Sequence, residues 1–232
     1  MAVDDLVVGG MAPLTTVDYP GRLAAVLFCQ GCPWRCPYCH NPHLLGKKAE
    51  RPVPWGDVRA FLGKRRGFLD AVVISGGEPL LQAAIIDAVA AIKDMGFAVA
   101  LHTGGSHPAR LRQLLPSLDW VGFDAKTAFD AYAGVTGITA SGEAAALSLA
   151  QVVAAGIGYE VRTTVDETLV SRNDLLRLAD DLANRQVRTW TLQECRETSA
   201  PGRCNPETGL LDDGAFLERL ARRFDSFTVR QA

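Results

Sequence analysis

The chain has no long apolar run. The longest, such as LAAVLF at 23–28, fall far short of the roughly 20 residues that span a bilayer as a helix. It has no cationic excess either. Lys and Arg number 24 against 26 Asp and Glu, a formal net charge of −2, so bulk attraction to nucleic acid or to an anionic membrane is not expected. The opening MAVDDLVVGG carries two acids and no base. It does not read as a secretory signal, and the expected location is cytoplasmic. Internal repeats and low-complexity linkers are also missing. Cysteine is scarce, six in 232 residues, which makes its placement informative. The rest is ordinary globular composition, 48% hydrophobic and 22% charged. The length suits one sizeable core, a single domain over 1–232, better than two full ones.

Four of the six cysteines fall in CQGCPWRCPYCHNP, residues 29–42. In a reducing compartment, clustered thiols more often hold metal or do redox chemistry than form disulfides. Two metal readings compete. Cys29, Cys32, Cys36 and Cys39 would close a tetrahedral zinc site, making the chain a zinc-stabilised, non-catalytic binding module. Only three residues separate the two C-x-x-C pairs, whereas two-knuckle zinc sites usually place about a dozen or more between them. Alternatively Cys32, Cys36 and Cys39, spaced C-x3-C-x2-C, suit three corners of a [4Fe–4S] cube and leave one iron open. A disulfide or simple packing is the remaining possibility, and spacing alone leaves all of these open.

Along the chain, a short apolar run is repeatedly followed by a helix-like segment. Strands are expected at 23–28, 71–75, 97–103, 119–126, 158–165 and 187–193, with 227–230 as a final candidate. Helices are expected over LLQAAIIDAVAAIKDMG with Gly96 as its stop, from about Pro108, near 143–155 ending at Gly156, from near Ser171, and over 213–224. Asn173 and Asp174 are alternative caps to Ser171. Such alternation predicts an α/β fold with a parallel sheet. About six units after an N-terminal lead (1–20) are too few for an eight-unit barrel, so an open, partial (β/α)6 barrel is expected. Function then belongs at the C-terminal strand ends. Those ends carry the cysteine loop, Gly76-Gly77-Glu78, His102-Thr103-Gly104, Asp124 with Lys126, Arg162 with Thr163, and Gln193.

The cysteine triplet with Tyr38 before its last member, followed by Gly76-Gly77-Glu78-Pro79 at the end of the next apolar strand, resembles the radical S-adenosylmethionine superfamily. The flanks are more particular. Asp18-Tyr19-Pro20-Gly21, Gln30-Gly31-Cys32, Tyr38-Cys39-His40-Asn41-Pro42, VGFDAKT (121–127) and VRTTV (161–165) resemble the glycyl-radical enzyme activating enzymes. The most similar group is the activating proteins of anaerobic ribonucleoside-triphosphate reductase.

That resemblance implies a partial barrel of the radical S-adenosylmethionine type. It implies a [4Fe–4S] cluster on Cys32, Cys36 and Cys39, with S-adenosylmethionine as cosubstrate on the open iron. One electron from the cluster would break the sulfonium bond, giving methionine and a 5′-deoxyadenosyl radical that takes hydrogen from a glycine of the partner reductase. A flavodoxin- or ferredoxin-type protein would supply the electron, and no hydrolytic triad is needed. Gly76, Gly77 and Glu78 would hold the methionyl group, which fits glycine's close backbone approach and a carboxylate's affinity for an ammonium. Tyr38 would shield the cluster, lie near the adenine or simply pack. Thr103, Asp124 and Lys126 match positions around the cosubstrate and a monovalent cation, or form a strand-end hydrogen-bond network or salt bridge. Arg162 would face the ribose or carboxylate, or pair with Glu160, and Gln193 would reach the cosubstrate.

This chain departs from its relatives at His102-Thr103-Gly104-Gly105, where they often read Asp-Thr-Asn-Gly, and that bears on whether a cation binds. His102 is otherwise expected as a hydrogen-bonded strand-end residue, and His40 and His43 either face solvent or tune the cluster by hydrogen bonds to its ligands. Cys29 should be a buried thiol ending its strand. Cys195 and Cys204 belong to a 195–212 loop expected to cover the open barrel end where the partner's glycine strand enters. A different glycyl-radical partner, or a small-molecule substrate, remains a rival within the superfamily.

Overall fold

The computed structural model describes residues 2–196 and 209–231. Cys204 and most of the expected 195–212 loop lie outside them. Among the described residues eight strands form one sheet in chain order: β1 Val8–Thr15, β2 Ala24–Cys29, β3 Ala71–Gly76, β4 Ala98–Thr103, β5 Trp120–Asp124, β6 Gly158–Val165, β7 Thr189–Glu194 and β8 Ser226–Arg230. β1 runs antiparallel to β2, and every later neighbour is parallel. The helices of the crossovers are α1 Trp55–Gly63, α2 Ile85–Asp94, α3 Pro108–Leu114, α4 Tyr132–Thr136, α5 Ser141–Ala154, α6 Arg172–Asn184, α7 Gly209–Asp212 and α8 Gly214–Ala221. The expected partial barrel is therefore present, as seven parallel strands preceded by one antiparallel strand. Among the described residues no helix is long and apolar enough to cross a membrane.

Successive strand residues face opposite sides, and the two sides differ in composition. Leu27, Cys29, Val72, Ile74, Val99, Leu101, Val121, Phe123 and Val161 join helix residues such as Val58, Ile85, Val89 and Leu149 in the main apolar cluster. The alternate positions Ala24, Val26, Ala71, Val73, Ala100 and Trp120 form a smaller inner cluster with Tyr19 packed against it. Segment 16–22 thus reaches under the sheet. Tyr19 stacks on Trp120 at 5.6 Å between centroids, and the Asp18 carbonyl accepts from His102 Nε2 at 2.7 Å.

Local signals explain where the elements begin. β1 escapes a sequence reading because VGGMAPLT carries two glycines and a proline, all poor strand formers. Pairing with β2, with register irregularities on both sides of its centre, imposes the conformation. α2 starts later than its periodicity suggests. Pro79–Leu81 is a short 3₁₀ turn capped by the Glu78 side chain, and Gln82 is extended because its side chain bonds the Val7 amide and the Val7 and Gln30 carbonyls. At α6 the cap is Ser171. Its hydroxyl accepts from the Asp174 amide at 3.2 Å while Asp174 reaches back to the Ser171 amide at 3.0 Å. The expected last helix is α8, capped by Asp213 through the Phe216 amide at 3.0 Å, and the short α7 precedes it at the end of the expected 195–212 loop.

Ser171→Ala should lower stability by about 1 kcal/mol through loss of the cap, read by urea denaturation under reducing conditions. Asn173→Ala, inside the helix, should be neutral or slightly stabilising; equal losses from both would contradict the cap assignment.

Candidate active site

The cysteine loop begins where β2 and β3 end in register, Cys29 opposite Gly76. Its near end is held by backbone bonds. The Gly31 amide donates to the Leu44 carbonyl at 2.7 Å and the Cys32 amide to the Leu45 carbonyl at 3.2 Å. Gln30 is buried, and its amide nitrogen donates to the His43 and Gly46 carbonyls at 3.1 and 2.7 Å. The far end leans on α4. The Arg35 amide donates to the Thr136 carbonyl at 2.9 Å, Arg35 Nη1 caps the Cys32 and Trp34 carbonyls, and Trp34 meets Tyr132 edge-on at 6.0 Å.

Strand β3 then docks directly on this loop. The Gly77 amide donates to the Cys29 carbonyl and the Glu78 amide to the Gly31 carbonyl, both at 2.9 Å. Nothing larger than hydrogen fits there. A Cβ on Gly76, whose φ is +126°, would lie 2.3 Å from the Cys29 nitrogen, and one on Gly77 would lie 2.5 Å from the Gly31 oxygen. Gly104 serves the same purpose on β4's exit, where a Cβ would meet the Trp34 ring at 2.1 Å.

Between loop and strand ends lies a cleft that opens to solvent at its mouth. Cys32, Cys36 and Cys39 line it, as do Tyr38, Gly76, Gly77, Glu78, Thr103, Asp124, Lys126 and Arg162. Gln193 does not. It pairs in register with Thr164, the last inner-face residue on that wall, so it sits one strand beyond the edge. Trp34, Ser75 and Thr164 also line the cleft. The period-2 pattern could have given Thr164, two residues after Arg162, whereas Trp34 had no signal apart from lying inside the loop. His40 is exposed at the rim and His43 is exposed outside it.

Cys29 is the exception among the four clustered thiols. It is fully buried in the helix-side cluster, on the opposite face of β2 from the inner cluster. Burial pushes its thiol up to about 12. Burial likewise raises Cys32 to about 12 and raises Cys36. Among the described residues no three His, Cys, Asp or Glu side chains converge tightly enough for a single ion. A cube sets its thiolates farther apart than the ligands of one ion.

The charged groups are closely interlocked. Burial raises the Glu78 carboxyl, opposed by three bonds: Thr103 Oγ1 and the Leu80 amide donate to Oε1 at 2.7 and 3.0 Å, and the Gly104 amide donates to Oε2 at 3.0 Å. Arg162 Nε and Nη2 both donate to Asp124 Oδ1, at 3.0 and 2.9 Å. Glu160 is instead taken by Arg230 at 2.6 Å, so the alternative Arg162–Glu160 pair does not form. Burial works to raise Asp124, but Arg162 and Lys126 outweigh it and hold the carboxyl low. Burial works to lower Lys126, yet Tyr38, Asp124 and Cys36 around it raise it well above its ordinary value. The Tyr38 hydroxyl is buried with no hydrogen-bond partner among the described residues.

The model of the radical SAM superfamily matches residues 26–182. The chain belongs to the radical SAM superfamily. Such membership implies a [4Fe–4S] cluster and S-adenosylmethionine. A Methanocaldococcus jannaschii protein named as a glycyl-radical enzyme activating enzyme is 41% identical over 133 residues, 54% of this chain and 52% of that protein. The pyruvate formate-lyase-activating enzyme of Clostridium pasteurianum is 30% identical over 175 residues, 72% of each. The chain is thus homologous to glycyl-radical enzyme activating enzymes, though it spans only about half the length of the first of these relatives. Among solved structures, Streptococcus suis SuiB bound to S-adenosylmethionine superposes with a TM-score of 0.67 at 14% identity, over 88% of this chain and 48% of that one, a likeness of fold.

In this radical SAM chain, buried His102 carries a pH signature. Burial and the neighbouring Arg162 push it down from 6.5 to about 4. The unfolded chain therefore takes the proton first, and the stability due to the neutral ring is complete above about pH 6.5 and lost as pH falls toward 4. His40 and His107 are also held low by burial, so the comparison must isolate His102. Urea midpoints at pH 7 and pH 5 should fall farther for the natural protein than for His102→Gln; equal falls would rule the assignment out.

Proposed function

We propose that Cys32, Cys36 and Cys39 hold a [4Fe–4S] cluster with one iron free for S-adenosylmethionine. We propose further that the chain activates a partner enzyme by hydrogen abstraction from a glycine. One observation carries this reading: three thiols of the loop share a cleft with Gly76, Gly77 and Glu78, while the fourth, Cys29, faces the helices. The cleft fits the implied groups. It offers three thiols, a cationic Lys126 beside Cys36 to offset thiolate charge, and an unpartnered Tyr38 hydroxyl.

When bound together, the cluster and cosubstrate supply one-electron cleavage of a sulfonium bond and hence a carbon radical able to take hydrogen from glycine. The chain's own residues bind, orient and exclude water. Gly76 and Gly77 bring backbone close to the cleft, and Glu78, already fixed by three donors, presents carboxylate character suited to an ammonium. Trp34 and Tyr38 are buried aromatic walls that keep water from a reactive radical. Thr103, Asp124, Lys126 and Arg162 complete the polar rim. Gln193 would contribute only if the cosubstrate reached past Thr164.

The partner we favour is anaerobic ribonucleoside-triphosphate reductase, supported by the segments around Asp18–Gly21, Gln30–Cys32 and Tyr38–Pro42. The homology to a pyruvate formate-lyase-activating enzyme supports a second partner class. A flavodoxin- or ferredoxin-type donor in the cytoplasm would supply the electron.

The test is anaerobic reconstitution, then electron paramagnetic resonance of the dithionite-reduced protein. Adding S-adenosylmethionine should change the reduced-cluster signal. Cys32→Ala, Cys36→Ala and Cys39→Ala should each abolish it, and Cys29→Ala should keep it. A glycyl radical appearing on the reductase, or on pyruvate formate-lyase, would decide the partner. Colourless protein with stoichiometric zinc and no retained iron would end the enzyme reading.

A further inference from the structure

The resemblance places a monovalent cation near Thr103, Asp124 and Lys126, and the residues here do not fit one. Most of the side-chain oxygens it would need are committed. Thr103 Oγ1 donates to Glu78 and accepts from the Gly105 amide at 2.9 Å. Asp124 Oδ1 accepts twice from Arg162, and Oδ2 lies 3.8 Å from Lys126 Nζ. A small cation approaching this carboxylate would meet a guanidinium and an ammonium already facing it, both shielded from water, where repulsion is weakly screened.

The arginine's position is built in. Arg162 and Asp124 are register partners on adjacent parallel strands. Between them and β4 lies Gly122, where a Cβ would stand 2.9 Å from Arg162 Cζ, from Arg162 Nη2 and from His102 Cδ2. The missing side chain leaves room for the guanidinium beside Asp124. On its other side Arg162 Nη1 is 3.4 Å from both ring nitrogens of His102. The Asp18 carbonyl can only accept, so His102 Nε2 carries the hydrogen, and the guanidinium lies against the imidazole ring, equidistant from its two nitrogens. The Asp18-Tyr19-Pro20-Gly21 segment thus fixes His102, and His102 and Gly122 act as positioning residues for Arg162. Arg162's side chain is only 12% exposed, and it lines the cleft.

We infer that this wall takes no alkali ion, because Arg162, clamped to Asp124, and Lys126 together already supply the positive charge where the resemblance would put one. This rests on the proposed S-adenosylmethionine site. A guanidinium suits the role because it stays charged and offers several donors in a fixed plane.

The experiment has two readouts at constant ionic strength in potassium, sodium and tetramethylammonium chloride. The first is calorimetric titration of S-adenosylmethionine into the cluster-loaded protein. Affinity in the three salts should agree within about twofold. In Arg162→Gln it should instead be higher in potassium or sodium than in tetramethylammonium, as Asp124 is uncovered. The second is the melting temperature without S-adenosylmethionine, which should not depend on the cation in the natural protein. A saturable gain in affinity or melting temperature with potassium or sodium, lost in Asp124→Asn, would overturn the proposal. Absence of S-adenosylmethionine binding in every salt would overturn the proposed function instead, and the melting comparison would still decide whether this wall takes an alkali ion.

Discussion

The structure turns on one backbone contact. The Gly76-Gly77-Glu78 turn lies flat against the cysteine loop through two amide–carbonyl bonds of 2.9 Å, at a separation that admits no Cβ on either glycine. Each such bond adds only about 1 kcal/mol net. Their effect is positional: they fix the loop's first thiol relative to the end of β3, and so set the cleft's width. Gln30 and Gln82 extend the clamp, tying loop, β1 and the start of the second crossover together.

From that contact follows a division of labour between the faces of the sheet. The helix side is continuous hydrocarbon and supplies stability. The inner side is apolar near the strand starts, mostly alanine and valine with Trp120, and polar near their ends, where Ser75, His102, Asp124, Arg162 and Thr164 follow one another across β3 to β6. Burying so many charges is tolerable because each is paired or hydrogen-bonded. The Asp124–Arg162 pair, the Glu78 donors and neutral His102 satisfy one another before any ligand arrives, which keeps the wall preorganised.

Much of this was legible beforehand. Parallel strands buried on both faces announce themselves as apolar runs, and all six expected from the sequence are present. The cysteine triplet, Glu78, Thr103, Asp124, Lys126 and Arg162 were readable as strand-end chemistry and do share one cleft. The misses have physical causes. β1 has little strand propensity and exists because β2 offers it an edge. α1 and α4 lie in connections whose periodicity is weak. Gln193 satisfied the strand-end rule but stands beyond the cleft, because the rule gives height in the barrel and not distance around it.

The sequence by itself determined the fold class, the superfamily and the identity of most cleft residues, because period, strand order and ligand spacing are local properties of the chain. Spacing alone left open whether three sulfurs or four face the cleft, and the tertiary structure decided for three, since the face a strand residue takes depends on which side the helices cover. It alone also decided that Arg162 chooses Asp124 over Glu160. That choice goes with register between β5 and β6, room beside Gly122, and Arg230 arriving from β8 to claim Glu160. Three contacts from distant parts of the chain set it, and no local pattern records them.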